Sequence, residues 1–103
     1  MSYDFRHLVF FKFREGVDPP TTKRIVKEFL ALRSAIPLIQ NVEWGTDASV
    51  EKLSRGFSHC FNLGFADPAA RNAYLVHPAH TAFSASLEPF VAEVFVFDYH
   101  AGT

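Results

Sequence analysis

The segment Phe5-Arg6-His7-Leu8-Val9-Phe10-Phe11-Lys12-Phe13 restricts the possible folds more than any other stretch of the chain. Side chains alternate along a strand, so Phe5, His7, Val9, Phe11 and Phe13 share one face and Arg6, Leu8, Phe10 and Lys12 the other. Both sets are apolar apart from His7 and the charged ends, and such a strand has to be covered on both sides. Two later stretches alternate in the same way. From Gly56 a second long strand sets Phe57, His59, Phe61, Leu63 and Phe65 against Ser58, Cys60, Asn62 and Gly64. From Val91 to Tyr99 a third sets Val91, Glu93, Phe95, Phe97 and Tyr99 against Ala92, Val94, Val96 and Asp98, which leaves His100 to Thr103 as a frayed end.

The intervening segments supply the cover for one face. After the turn Glu15-Gly16-Val17, Asp18 can cap a helix whose first position is Pro19. Ile25, Phe29, Leu32 and Ile36 then fall at i, i+4, i+7 and i+11, widened by Val26 and Leu30, until Pro37 ends the helix. Val42 to Asp47 reads as a short strand carrying Trp44, followed by a polar connection from Ala48 to Arg55. Asp67-Pro68 repeats the cap-plus-proline start, Pro78 interrupts the resulting helix, and a second short helix runs on to Pro89. The order strand, helix, strand, strand, helix pair, strand is the split β-α-β arrangement: an α+β, ferredoxin-like, four-stranded antiparallel sheet with helices on one face. The other face, carrying Leu8, Phe10, Val94 and Val96 or their opposite parity, then needs a second sheet, and another copy of the chain is the simplest supplier. A homodimer whose two sheets face each other as a barrel is expected.

Size and composition agree with that expectation. The 103 residues, 1–103, make one domain. A chain that is 49% hydrophobic with 12 Phe carries more apolar surface than a small monomer hides. Ten basic and eleven acidic residues give a net charge of −1 with no run of either sign, so there is no footprint for nucleic acid or anionic lipid. The lone Cys60 in an apolar run points to a reducing, cytoplasmic setting. No apolar run approaches the roughly 20 residues of a membrane span, and the opening Met1 to Arg6 has none of the parts of a signal peptide.

The polar exceptions to this apolar pattern converge on Tyr74-Leu75-Val76-His77-Pro78-Ala79-His80. His80, Phe83 and Leu87 recur at i, i+3 and i+7, so His80 points the way core residues point. His7 and His59 lie on the Phe-rich parities of two strands and can face Tyr74 and His80. Four such groups form either a hydrogen-bonded plug in the core, since buried polar groups must be paired, or the lining of a small-molecule pocket. In a pocket, imidazole titrates near neutral pH and suits a general base, and a phenol can hold an enolate oxygen. A metal site from the histidines lacks accompanying Asp, Glu or Cys ligands at suitable spacing, because Cys60 has the opposite parity to His59. His77, just before Pro78, reads as a structural residue closing the first short helix, and Trp44 and the Phe stripes read as core and wall.

His7-Leu8-Val9-Phe10-Phe11-Lys12-Phe13, Ile36-Pro37, Val42-Glu43-Trp44-Gly45, Gly56-Phe57-Ser58-His59, Tyr74 to His80 and Phe97-Asp98-Tyr99 together resemble the stress-responsive A/B barrel (Dabb) domain over nearly the whole chain. The resemblance implies a dimeric ferredoxin-like α+β barrel. That family includes a cofactor-free plant polyketide cyclase acting by intramolecular aldol condensation, and stress-related members with no assigned reaction. Carried over residue by residue, it implies His80 and Tyr74 as the catalytic pair, His7 and His59 as substrate-binding residues, and no cofactor. Some members hold magnesium with backbone carbonyls, which would fall on Arg33, Ile36 and Ile39.

Overall fold

The doubly apolar stretch forms β1 (Phe5–Phe13), the longer of the two inner strands of a four-stranded sheet. The computed structural model describes residues 4–102. Met1, Ser2, Tyr3 and Thr103, parts of the two terminal stretches read above, lie outside the described residues. Along the chain follow α1 (Pro19–Ala35), β2 (Asn41–Thr46), β3 (His59–Phe65), α2 (Pro68–Leu75), α3 (Pro78–Ser86) and β4 (Val91–His100). The strand order is β2-β3-β1-β4 and every neighbouring pair is antiparallel, the ferredoxin-like α+β arrangement expected from the element order.

The helices start where their caps require. Asp18 accepts the Thr21 amide at 3.0 Å and Asp67 the Ala70 amide at 2.8 Å, each followed by a proline that needs no amide partner. Ile25, Val26, Phe29 and Leu32 of α1 are buried against Phe11, Phe61, Leu63 and Phe65 of the sheet. At the centre Phe29 stacks on Phe61 with ring centroids 4.2 Å apart. Stacked and offset rings at such distances add about 0.5–1.5 kcal/mol per pair beyond the area they bury.

Four boundaries differ from the sequence reading, each for a local reason. β2 is one residue earlier at both ends than Val42 to Asp47. β3 begins at His59, because Phe57 closes a turn onto the Ser54 carbonyl at 3.0 Å and Lys52, Arg55 and Gly56 all adopt positive φ in the connection before it. β4 continues to His100, which pairs with Phe5 and sets its ring edge-on to the Phe5 ring at 5.0 Å. Ala101 also donates its amide to the Asp4 carbonyl, so the end expected to fray is held through Ala101.

The faces of β4 settle which parity is which. Leu8 is directly opposite Phe97, and Phe10 opposite Phe95, so these four share the face away from the helices. Val94 and Val96 lie opposite Phe11 and Val9, on the helix side. The helices leave that part of the sheet open: Val94 and Val96 stay about half exposed while the β1 and β3 residues beside them are buried. The opening this creates is where the polar cluster sits.

Candidate functional site

Pro78 cannot continue α2, and the break it forces is what brings the phenol and imidazole together. His77 takes an extended conformation and its Nδ1 accepts the Ala79 amide at 3.1 Å, making it the N-cap of α3. It therefore begins the second short helix; the expectation that its ring would close the carbonyl end of the first is corrected. With that start, Tyr74 on the last turn of α2 and His80 on the first turn of α3 have ring centroids 4.4 Å apart.

The His80 ring is oriented by the backbone five residues before it. Nδ1 lies 3.1 Å from the Leu75 carbonyl, an acceptor, so the ring donates from Nδ1 and Nε2 carries the lone pair. Tyr74 is 1% exposed, with its ring against Phe65 at 5.2 Å and edge-on to His7 at 5.9 Å. Its hydroxyl has no hydrogen-bond partner among the described residues. Burial pushes the phenol well above its ordinary range, so it stays protonated and available as a donor near neutral pH.

His7 is buried on β1, and its Nδ1 sits 2.6 Å from Oδ1 of Asp98. The other oxygen of Asp98 accepts from the Arg71 guanidinium, giving a chain Arg71, Asp98, His7. Burial lowers the His7 pKa more than the Asp98 charge and hydrogen bond raise it, and Arg71 and His80 add repulsion. The imidazole is thus favoured in its neutral form, donating from Nδ1 to the carboxylate. Sequence reasoning did not single out Asp98 or Arg71. The available signals were a lone carboxylate on the Val94/Val96 parity and an arginine three residues before Tyr74.

Tyr74, His80, His7 and Asp98 open onto one cavity of about 310 Å³ walled by Phe29, Phe83, Leu87, Val94 and Val96. His59 is not part of it. His59 pairs with Phe11, four residues along β3 from Leu63, the partner of His7; at a strand rise of about 3.3 Å that is roughly 13 Å away. It lies edge-on to Phe13 at 5.1 Å, with Nδ1 2.8 Å from the Ser58 hydroxyl, and burial lowers its pKa. Parity places a residue on a face but not along the strand. A larger depression of about 520 Å³ lies beneath the β2–β3 connection, against Phe10, Cys60 and Phe95 on the outer face, and contains none of the Tyr74 group.

Arg33 lies in the last turn of α1, and Ile36 and Ile39 in the bend after it. The Ile36 carbonyl accepts the Ile39 amide at 3.1 Å, and the Arg33 guanidinium donates to the Gln40 carbonyl at 2.7 Å. Among the described residues no group of three or more His, Cys, Asp or Glu is arranged to hold a metal ion, and no helix is long and apolar enough to cross a membrane.

Residues 5–101 match the family described as the stress responsive A/B barrel domain. The chain is 31% identical over 94 residues to the stress-response A/B barrel domain-containing protein HS1 of Arabidopsis thaliana, covering 91% of this chain and 86% of the relative. It is 27% identical over 94 residues to the olivetolic acid cyclase of Cannabis sativa, covering 91% and 93%. Among solved structures, an Arabidopsis thaliana protein superposes with a TM-score of 0.91 at 29% identity over 96% of both chains. A dimeric ferredoxin-like protein of unknown function from Thermobifida fusca superposes with a TM-score of 0.77 at 22% identity, covering 93% of this chain and 89% of that one.

Proposed function

The chain belongs to the stress responsive A/B barrel domain family, and we propose that within it the Tyr74–His80 cavity is a cofactor-free acid–base site that closes a linear β-polyketo thioester by intramolecular aldol condensation. One observation carries the reading: the Tyr74 hydroxyl and His80 Nε2 have no partner among the described residues, and both residues line one cavity. In this mechanism His80 Nε2 removes a proton from a methylene flanked by two carbonyls. The Tyr74 hydroxyl donates a hydrogen bond to the resulting enolate oxygen. The enolate carbon then attacks a carbonyl further along the same chain, forming the C–C bond, and the carbonyl π electrons move to oxygen, which takes back the proton from the His80 imidazolium; loss of that hydroxyl as water, together with a proton from the adjacent carbon, completes the condensation. The two flanking carbonyls already acidify the carbon, so positioning in a dry cavity and one well-placed base are sufficient. Burial keeps His7 neutral, and Asp98, itself held by Arg71, orients its ring beside the phenol as part of the substrate wall. The relationship to the olivetolic acid cyclase supports the substrate class.

The reading includes a two-fold homodimer. Phe95 and Phe97 are 50% and 54% exposed on the outer face with Phe10 and Leu8 opposite them on β1, an apolar surface suited to a second sheet. A fold relative described as dimeric supports it.

A second reading, a barrel that binds such compounds without turning them over, is favoured by the sealing of the Tyr74 ring at 1% exposure. One assay separates the two. Incubation with a linear tetraketide thioester should yield cyclised product, and His80→Ala should slow it by about 10²- to 10⁴-fold, the usual contribution of a general base. Binding without product in the wild type leaves the second reading standing, and a fully active His80→Ala removes the catalytic one.

A further inference from the structure

His59 and Trp44 have no part in the mechanism above, yet they lie together in a groove between α1 and β2. We propose that this groove is a separate binding site for a small planar aromatic anion. Its volume is about 570 Å³, within the range of small-molecule sites. Trp44 is 43% exposed on the edge strand, its ring within 16° of parallel to Phe61 and within 10° of parallel to His59. The indole and imidazole thus present parallel aromatic faces, with ring centroids 6.3 Å apart, in a groove walled by Val26 and Leu30 of α1. Parallel aromatic faces beside an aliphatic wall suit a planar ring, which stacks in an offset arrangement on such faces.

The rim selects the charge. Lys23 and Lys27 are four apart on α1 and border the groove together, a spacing at which like charges repel. Neither is in an ion pair with a described residue, whereas their neighbours Arg24 and Glu28 pair at 3.1 Å. Two uncompensated ammonium groups beside the exposed indole match a carboxylate or sulfonate carried on one or two rings. The site stands apart from the Tyr74 cavity, with Phe29 stacked on Phe61 in the core between them.

Trp44 is the only tryptophan, so the protein has one indole N–H, and its NMR cross-peak reads this groove directly. Titration with 2-naphthoate should shift that cross-peak saturably. The uncharged 2-naphthamide, and the exposed-site double variant Lys23→Gln/Lys27→Gln titrated with 2-naphthoate, should each bind at least ~10-fold more weakly through loss of the charge interaction. His80→Ala should leave the 2-naphthoate titration unchanged, which separates this site from the reading of the Tyr74 cavity. The proposal is overturned by an indole that does not respond, by equal affinity for acid and amide, or by a response lost in His80→Ala. It is equally overturned by an indole shift that tracks protein concentration without ligand, which would mean that a second copy covers the groove.

Discussion

Tyr74 and His80 acquire their relation from two ordinary devices, a proline that cannot extend a helix and a histidine that caps the next one. The roles proposed for them differ in what their loss should cost. Tyr74→Phe keeps the ring and its packing and removes only a donor, so kcat should fall by about 10²–10³ with KM little changed, as steady-state kinetics on the tetraketide thioester would reveal. His7 supplies a pH dependence. Burial holds its pKa below the ordinary 6.5, so the unfolded chain binds that proton more readily than the folded one. The stabilising contribution is therefore complete above about pH 7.5 and is lost as pH falls through 6.5 toward the folded value. Urea unfolding at a series of pH values should show this acid limb, and His7→Gln should flatten it whatever that variant does to stability at neutral pH. His7 was visible in the sequence as a histidine on an apolar parity, but its partner was not, because Asp98 lies 91 residues away and only sheet registry opposes them.

At the level of elements, the residues that announced themselves most clearly were those acting on their own neighbours. Asp18-Pro19 and Asp67-Pro68 start helices at the positions they indicate, since a cap bonds to an amide only three residues on. Boundaries set by distant partners were less legible: β3 starts later than its alternation suggests, and β4 runs on to His100 because Phe5 lies opposite it. His77 belongs to the first kind. Removing its acceptor in His77→Ala should cost about 1 kcal/mol of stability, typical of an N-cap, with cyclisation chemistry retained in whatever remains folded. Equilibrium denaturation alongside the thioester assay would check both halves, and a variant of full stability but no activity would contradict this assignment. The split between the histidines of the Tyr74-to-His80 segment, one capping and one lining a cavity, depends on which side of Pro78 each stands.

The whole molecule carries one apolar sheet face that no helix among the described residues covers. Leu8, Phe10, Phe95 and Phe97 line up on it across β1 and β4. A charge there should be tolerated by the monomer and rejected by a packed sheet pair. Light scattering of the wild type should give twice the 11.6 kDa of one chain, and Phe97→Glu should bring it toward the single-chain mass with the circular dichroism of the fold kept. A wild type that stays monomeric would end the dimer reading. The sequence by itself determined the strand and helix order, the apolar character of both sheet faces, the helix starts and the candidate status of Tyr74, His80 and His7, because each follows from periodicity or from bonds spanning a few residues. Only the tertiary structure decided that Val94 and Val96 face the helix side, that Asp98 and Arg71 hold His7, and that His59 stands in a different groove beside Trp44. Those depend on registry between strands far apart in the chain, a quantity that alternation within one strand does not contain.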